Sequence, residues 1–218
     1  MIALKLFENI YSSKMHDGRS SLERVKILFQ FVLMLVCSLI IGTLMTGMVE
    51  ADFYIGAQST VSSHFEMLFL DIVGVSAVIR SVIAYSVFEI ICVIVIFVAS
   101  FSVFNYAVSD IVLVICGIKT SFSVAFLSEY ISEPIFSYNV GYLKFAVYFI
   151  FKALMLLLIF IYAYKSAVYS VDLRYSTANG RLTLKFSALF PFLLATIAYI
   201  GSVIVINGAY CWMIYILK

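Results

Sequence analysis

The sequence predicts an all-α, polytopic membrane protein with about five transmembrane helices and an amphipathic outer segment after the first. Of its 218 residues, 64% are hydrophobic and 12% are charged, whereas a soluble domain has roughly half and about a quarter. The hydrophobic excess falls in runs of about 20 residues, the length that a helix needs to cross about 30 Å of hydrocarbon. Nearly the whole chain is therefore assigned to the membrane, and no separate soluble domain is expected.

Residues 1–26 form a polar arm that we expect to lie in the cytoplasm. Its basic side chains outnumber its acidic ones. The basic residues are Lys5, Lys14, Arg19, Arg24 and Lys26. The first span is predicted at 27–48, within a single transmembrane domain that covers 27–217. Ser38 and Gly42 lie four residues apart on one face of this span. Such a small-xxx-small pattern lets another helix approach closely.

The mildly polar segment at 51–80 separates the first span from the second. Its apolar positions between 61 and 79 have the spacing of an amphipathic helix, and we expect this helix to lie on the outer membrane surface. The alternative is a re-entrant piece at 67–79 that dips into the membrane.

The second and third spans, predicted at 82–104 and 111–127, form a hairpin. We expect a tight turn at 105–110, with Ser109 or Asp110 as the helix cap of the third span.

A stripe of small residues runs down the third span, since Gly117, Ser121 and Ala125 recur every four residues. This spacing favours close packing against a neighbouring helix, and a substrate path is the alternative.

The fourth span is predicted at 142–164, and a second basic stretch follows at 165–185. The last apolar run, 186–217, is longer than one upright crossing needs. We expect one crossing, because the two halves of a hairpin about Gly201 would each be short for a span.

The distribution of Lys and Arg predicts the orientation of the chain, because these residues are retained on the cytoplasmic side during insertion. They concentrate in 1–26 and 165–185, whereas the other two long connections are acidic. Five crossings place both basic segments in the cytoplasm, with the N-terminus inside and the C-terminus outside. A two-pass final run would return the C-terminus to the inside. The predicted location is the cell membrane.

Three ionisable side chains, Glu89, Lys119 and Lys152, lie within the spans. Each costs about 3 kcal/mol or more at the bilayer centre, so a partner or a wet cavity is expected. Glu89 and Lys152 lie on helices that start outside, so both side chains lean outward, whereas Lys119 leans inward. We therefore predict the ion pair Glu89–Lys152, with Glu89–Lys119 as the second choice. The pair either fixes helix register or lines a proton or ion path.

No catalytic, cofactor-binding or metal-binding constellation is present in the sequence. HExxH, GxSxG and GxxxxGK[ST] are all missing, and the only histidines are His16 and His64. Four cysteines fall inside apolar runs, which favours buried thiols over disulfides or metal ligands; they are Cys37, Cys92, Cys116 and Cys211. The formal net charge of +2 argues against a nucleic-acid partner. We therefore predict a protein that is not an enzyme and needs no cofactor.

The layout of the chain, together with the step Gly117-Ile118-Lys119 and the small-residue stripe, resembles the stage II sporulation protein M family. The shared features are a basic-flanked first span, an outer amphipathic segment, a tight hairpin and a late basic loop before the terminal span. The resemblance covers roughly residues 27–217. It implies a membrane scaffold that does no chemistry itself and that holds cell-wall hydrolases at the septum during engulfment.

Two functional hypotheses follow. The first is a non-enzymatic integral membrane scaffold that recruits or anchors partner proteins. Its partners are then the lipid bilayer and other membrane or cell-surface proteins, among which the resemblance implies cell-wall hydrolases. The second is a permease-type membrane subunit of a transporter, with the intramembrane charges near a substrate or ion path. The sequence shows no internal repeat, which favours the first, because many transporters consist of two similar halves.

Overall fold

The described part of the chain is a bundle of five helices. The computed structural model describes residues 18–48, 75–102, 104–132, 139–178 and 186–217. Within these ranges there is no strand. The helices are α1 (Gly18–Met48), α2 (Val75–Ala99), α3 (Asn105–Ser132), α4 (Asn139–Ala178) and α5 (Phe186–Ile216). Each is long and apolar enough to cross a membrane. The chain is therefore an all-α, multi-pass membrane protein, as the sequence predicts.

The helices α2 to α5 alternate in direction. One buried cluster joins Val78 near the start of α2, Leu127 near the end of α3, Val147 near the start of α4 and Ile214 near the end of α5. These four positions lie at the same end of the bundle, so α2 and α4 run one way and α3 and α5 run the other. A larger core cluster, to which all five helices contribute, lies toward the opposite end.

Helix α1 packs chiefly on α3 and runs parallel to it. In the first half of both helices, Gln30 Nε2 donates a hydrogen bond to Asp110 Oδ2. Roughly three turns farther along each helix, Gly42 lies directly against Ser121. The contacts advance in the same direction along both helices. The beginning of α1 therefore lies at the same end of the bundle as the beginning of α3 and the end of α4.

The turn of the hairpin precedes Asn105, so the predicted turn at 105–110 is wrong. Helix α3 already begins at Asn105, and both candidate caps, Ser109 and Asp110, lie inside it. The Asn105 side chain is buried, and both of its polar atoms have a partner. Its Nδ2 donates to Ser166 O of α4 (3.1 Å), and its Oδ1 accepts from Ser109 Oγ (3.2 Å). Within the segment predicted as a turn, Asn105 thus joins α3 to α4, and Asp110 joins α3 to α1.

Helix α4 continues well beyond the predicted span of 142–164. Its 40 residues reach about 60 Å, roughly twice the thickness of the hydrocarbon layer. The first part of the basic stretch at 165–185 is therefore helical and not a loop. It continues because α4 keeps its contact with α2 here, where Ser166 Oγ donates to Ile96 O (3.4 Å).

The final apolar run is one continuous helix, so the alternative of a hairpin about Gly201 is wrong. A Cβ on Gly201 would have no neighbour within 4 Å, and the residue occupies an ordinary helical position. Pro191 is the sixth residue of α5 and lies inside the helix, so its missing N–H removes the intrahelical hydrogen bond to the carbonyl of Ser187.

Several predicted boundaries change at the membrane edges. Residues 18–26, assigned to the polar arm, belong to α1, and 75–80, assigned to the outer segment, belong to α2. Residues 1–17 and 49–74 lie outside the described residues. The predictions for the rest of the arm and for an amphipathic or re-entrant outer segment therefore stay predictions.

Candidate functional site

A cluster of three charged side chains joins the central helices of the bundle. Glu89 of α2 places its Oε1 at 3.7 Å from Nζ of Lys119 on α3 and at 3.7 Å from Nζ of Lys152 on α4. The sequence ranks Lys152 above Lys119 as the partner, and the structure brings both lysines to the same carboxylate oxygen. One carboxylate thus connects three helices.

The three charges differ in their exposure. Glu89 is 5% exposed, and the side chain of Lys152 is 15% exposed, whereas that of Lys119 is 44% exposed. Lys119 Nζ also lies 3.5 Å from the centroid of the Phe88 ring, where the ring quadrupole attracts a cation. Lys119 can therefore direct its ammonium group toward the edge of the bundle, and Lys152 depends more on Glu89 for compensation.

The cluster lies near the middle of the membrane-spanning part of α2. This part runs from Val78 to Ala99, so Glu89 is about 16 Å from one end and about 15 Å from the other at the helical rise. Ionisable groups at this depth are costly and usually mark a paired or functional site.

A cavity of about 190 Å³ opens beside the charges. Its lining combines the three charged side chains with aromatic, hydroxyl-bearing and aliphatic residues, which include Ala84, Tyr85, Ser123, Tyr148, Met155, Leu156 and Ile159. The second carboxylate oxygen of Glu89, Oε2, is buried and has no hydrogen-bond partner among the described residues. The ion-pair distances of 3.7 Å also exceed the usual N–H···O range of about 2.7–3.2 Å. The cluster therefore retains one unfilled acceptor.

The small residues of α1 and α3 form a second constellation, an interlocked interface. A Cβ on Gly117 would lie 1.9 Å from Ser38 Oγ, and a Cβ on Gly42 would lie 2.0 Å from Ser121 Oγ. The glycine of each helix thus accommodates the serine of the other. Ala125, one turn farther along the predicted stripe, is half-buried.

The serines of this interface form their hydrogen bonds within their own helices. Ser38 Oγ donates to Leu35 O (2.7 Å), and Ser121 Oγ donates to Gly117 O (2.9 Å). The serine hydroxyls therefore serve the interface through their shape, and the close approach of α1 and α3 depends on van der Waals packing.

Two further polar contacts between helices were not predicted. Asn207 Nδ2 of α5 donates to Ser86 Oγ of α2 (3.2 Å), and the hydroxyls of Tyr162 on α4 and Thr196 on α5 lie 2.9 Å apart. The available signal was Asn207 itself, because an amide inside an apolar run needs a partner from another helix.

The cysteines carry free thiols. Three are buried and one, Cys37, is exposed on α1, where the sequence predicted a buried side chain. Cys92 and Cys116 lie side by side, with a distance of 3.7 Å between their sulfur atoms. Over the described ranges, no group of three or more histidine, cysteine or acidic side chains could hold a metal ion.

Comparison of the chain with protein-family models, with curated proteins and with solved structures yields no match.

Proposed function

We propose that this protein is a non-enzymatic integral membrane scaffold that recruits or anchors partner proteins. The observation that supports this role is that a specific buried contact fixes every helix to another helix. The glycine–serine interlock holds α1 on α3, and Glu89 joins α2, α3 and α4. Asn207 and Tyr162 connect α5 to α2 and α4.

A bundle fixed in this way suits an anchor better than a carrier. Alternating access requires one group of helices to rock or slide against another around the binding site. Here the contacts that such a movement would break include ion pairs, interhelical hydrogen bonds and a close glycine interface. Among possible partners, the resemblance to the stage II sporulation protein M family favours cell-wall hydrolases.

We also propose that the bundle lies in the cell membrane with its N-terminus inside and its C-terminus outside. The directions of the helices support this orientation, because α1 is parallel to α3 and α4 is antiparallel to it. The two basic segments, 1–26 and 165–185, then join the bundle at the same end. A single cytoplasmic face accounts for both.

Cysteine labelling tests this orientation. A cysteine at Arg174, in a chain whose native cysteines are replaced by alanine or serine, is expected to react with a membrane-impermeant maleimide only after the cells are permeabilised. A cysteine at Lys218 is expected to react in intact cells. Labelling of the Arg174 position in intact cells would contradict the orientation.

The scaffold role is tested by purifying the tagged full-length chain from cross-linked native membranes and identifying its partners by mass. We expect enrichment of cell-surface proteins that carry wall-hydrolysing domains. Gly42→Ala, which disturbs the α1–α3 interface, is expected to reduce their recovery. Gly47→Ala on the same helix serves as the control, since a Cβ there has no neighbour within 4 Å. The proposal would be contradicted if the same amount of these partners were recovered with Gly42→Ala, with Gly47→Ala and with an unrelated tagged membrane protein.

A second candidate function, the membrane subunit of a transporter, is favoured by one observation. The charged cavity lies near the middle of the spans, where many transporters hold their substrate or coupling ion. In the same purification, enrichment of a nucleotide-hydrolysing subunit would favour this candidate over the scaffold.

A further inference from the structure

We propose that the cavity beside Glu89 is a binding site for a small monovalent oxyanion that also carries a hydrogen-bond donor. Dihydrogen phosphate, hydrogen carbonate and 2-hydroxycarboxylates such as lactate belong to this class. The inference goes beyond the scaffold role and does not depend on it, because it concerns a ligand of the bundle and not a protein partner.

The charge of the cluster favours an anion over a cation or a neutral ligand. The formal charges of Lys119, Lys152 and Glu89 add up to +1. This charge lies at a depth where uncompensated charge is costly. A monovalent anion beside the two ammonium groups brings the sum to zero, whereas a divalent anion would overcompensate it.

The unfilled oxygen of Glu89 requires a donor. Oε2 is buried and has no hydrogen-bond partner among the described residues, and a simple anion placed beside it would be repelled. A ligand that presents a hydroxyl hydrogen to Oε2 and a negative oxygen to the lysines satisfies both groups at once. Chloride and nitrate carry no hydrogen and cannot do this.

The dimensions of the cavity suit a solute of this size. A site for one water needs about 10–15 Å³, and the cavity has about 190 Å³. It therefore has room for an ion of five or six heavy atoms together with several waters. Tyr148 and Leu127 extend the lining toward the end of the bundle where α2 begins, and Met155 and Ile159 extend it toward the opposite end.

The depth of the cluster favours a free solute over a lipid headgroup. Glu89 lies about 15 Å from either end of its span at the helical rise, and lipid headgroups lie outside a hydrocarbon layer of about 30 Å. A phospholipid would have to move its phosphate roughly half the membrane thickness to reach the lysines.

Binding of radiolabelled inorganic phosphate to the full-length protein in phosphatidylcholine nanodiscs tests the inference, at a pH where the dihydrogen form predominates. We expect saturable binding that hydrogen carbonate and lactate displace. Nitrate is expected to require concentrations at least tenfold higher, about the factor that a hydrogen bond to a charged group contributes. Absence of saturable binding, or equal displacement by nitrate, would overturn the proposal. Displacement by phosphatidic acid but not by hydrogen carbonate would assign the site to a lipid and also overturn it.

Two variants with matched controls locate the site. Ala84 lines the cavity at an exposed position, so Ala84→Leu narrows it without removing a charge, and we expect this variant to weaken phosphate binding at least tenfold. Ala146→Leu is its control, because Ala146 is exposed on α4 and does not line the cavity. Lys119→Met is expected to weaken binding to a similar extent, while Lys165→Met leaves it unchanged. If Ala84→Leu does not elute as a single species, Lys119→Met alone decides the test. Unchanged binding in Lys119→Met would overturn the assignment.

Discussion

Replacing Glu89 with glutamine is expected to lower the free energy of unfolding by about 3–5 kcal/mol, the cost of removing one partner from a buried ion pair. Glu89 is 5% exposed, and its loss leaves two ammonium groups without a counter-charge. Lys119 is nearly half exposed and can direct its charge outward along its flexible stem. Lys152 cannot, since its side chain is 15% exposed. The measurement is unfolding of the purified protein in mixed micelles by increasing sodium dodecyl sulfate.

Double variants distinguish the contributions of the two lysines. Glu89→Gln combined with Lys152→Met is expected to recover most of the lost stability, because the uncompensated buried charge is gone. Glu89→Gln combined with Lys119→Met should recover less. Arg80→Gln is the control, since Arg80 is exposed on the same helix and surface substitutions usually change stability by less than about 0.5 kcal/mol. If Glu89→Gln is as stable as this control, Glu89 does not hold the bundle together.

Replacing Gly42 with alanine is expected to lower the free energy of unfolding by about 1–3 kcal/mol, the usual cost of overpacking a close interface. The added Cβ would lie 2.6 Å from the backbone oxygen and 2.9 Å from the Cα of Ile118. Backbone atoms of a helix cannot rotate away as a side chain can, so α1 and α3 must separate. The same unfolding measurement applies. Cross-linking between cysteines placed on α1 and α3 reports separately on the loss of the contact between these helices.

The neighbouring glycines provide the controls for this prediction. Gly47→Ala, on the same helix with no neighbour within 4 Å, is expected to be neutral or slightly stabilising, since alanine favours a helix by up to about 1 kcal/mol over glycine. Gly117→Ala collides mainly with the Ser38 side chain, so adding Ser38→Gly is expected to restore its stability. Equal stability of Gly42→Ala and Gly47→Ala would show that the two helices do not pack this closely.

The membrane architecture could be predicted because lipid leaves a strong signature in the sequence. A span needs about 20 apolar residues, so five such runs are visible without any knowledge of packing. The helix ends were less predictable. Lys165 looked like the end of the fourth span, yet α4 continues because Ser166 makes hydrogen bonds with α2 and α3, and such contacts depend on which helices are neighbours.

The charges of the site could be predicted, but the number of partners could not. Reasoning from depth on single helices ranks Lys152 above Lys119, because it treats each pair separately. In the bundle α2, α3 and α4 meet around Glu89, so one carboxylate serves both lysines. The unfilled Oε2 and the cavity beside it arise from the packing of side chains on three helices, and no sequence pattern reports on that.

Tyr210 illustrates the same limit. Its position near Trp212 and Tyr215 in the sequence suggests a membrane-interface belt. In the structure Tyr210 is buried, with its ring edge-on to those of Tyr85 and Tyr148 at centroid distances of 6.2 and 6.0 Å. Trp212 is exposed, so adjacent aromatic residues of one helix face different surroundings.

The parallel contact between α1 and α3 has a consequence for the order in which the helices assemble during translation. Ser38 and Gly42 enter the bilayer before Gly117 and Ser121 have been translated, so their groove is first covered by acyl chains. Helices α2 and α3 are joined by a short turn and arrive as a unit, and only then can α1 exchange its lipid neighbours for α3. The order of translation and the order of assembly therefore differ, and a nascent chain that stops before α3 is complete leaves the first helix without the partner on which it packs.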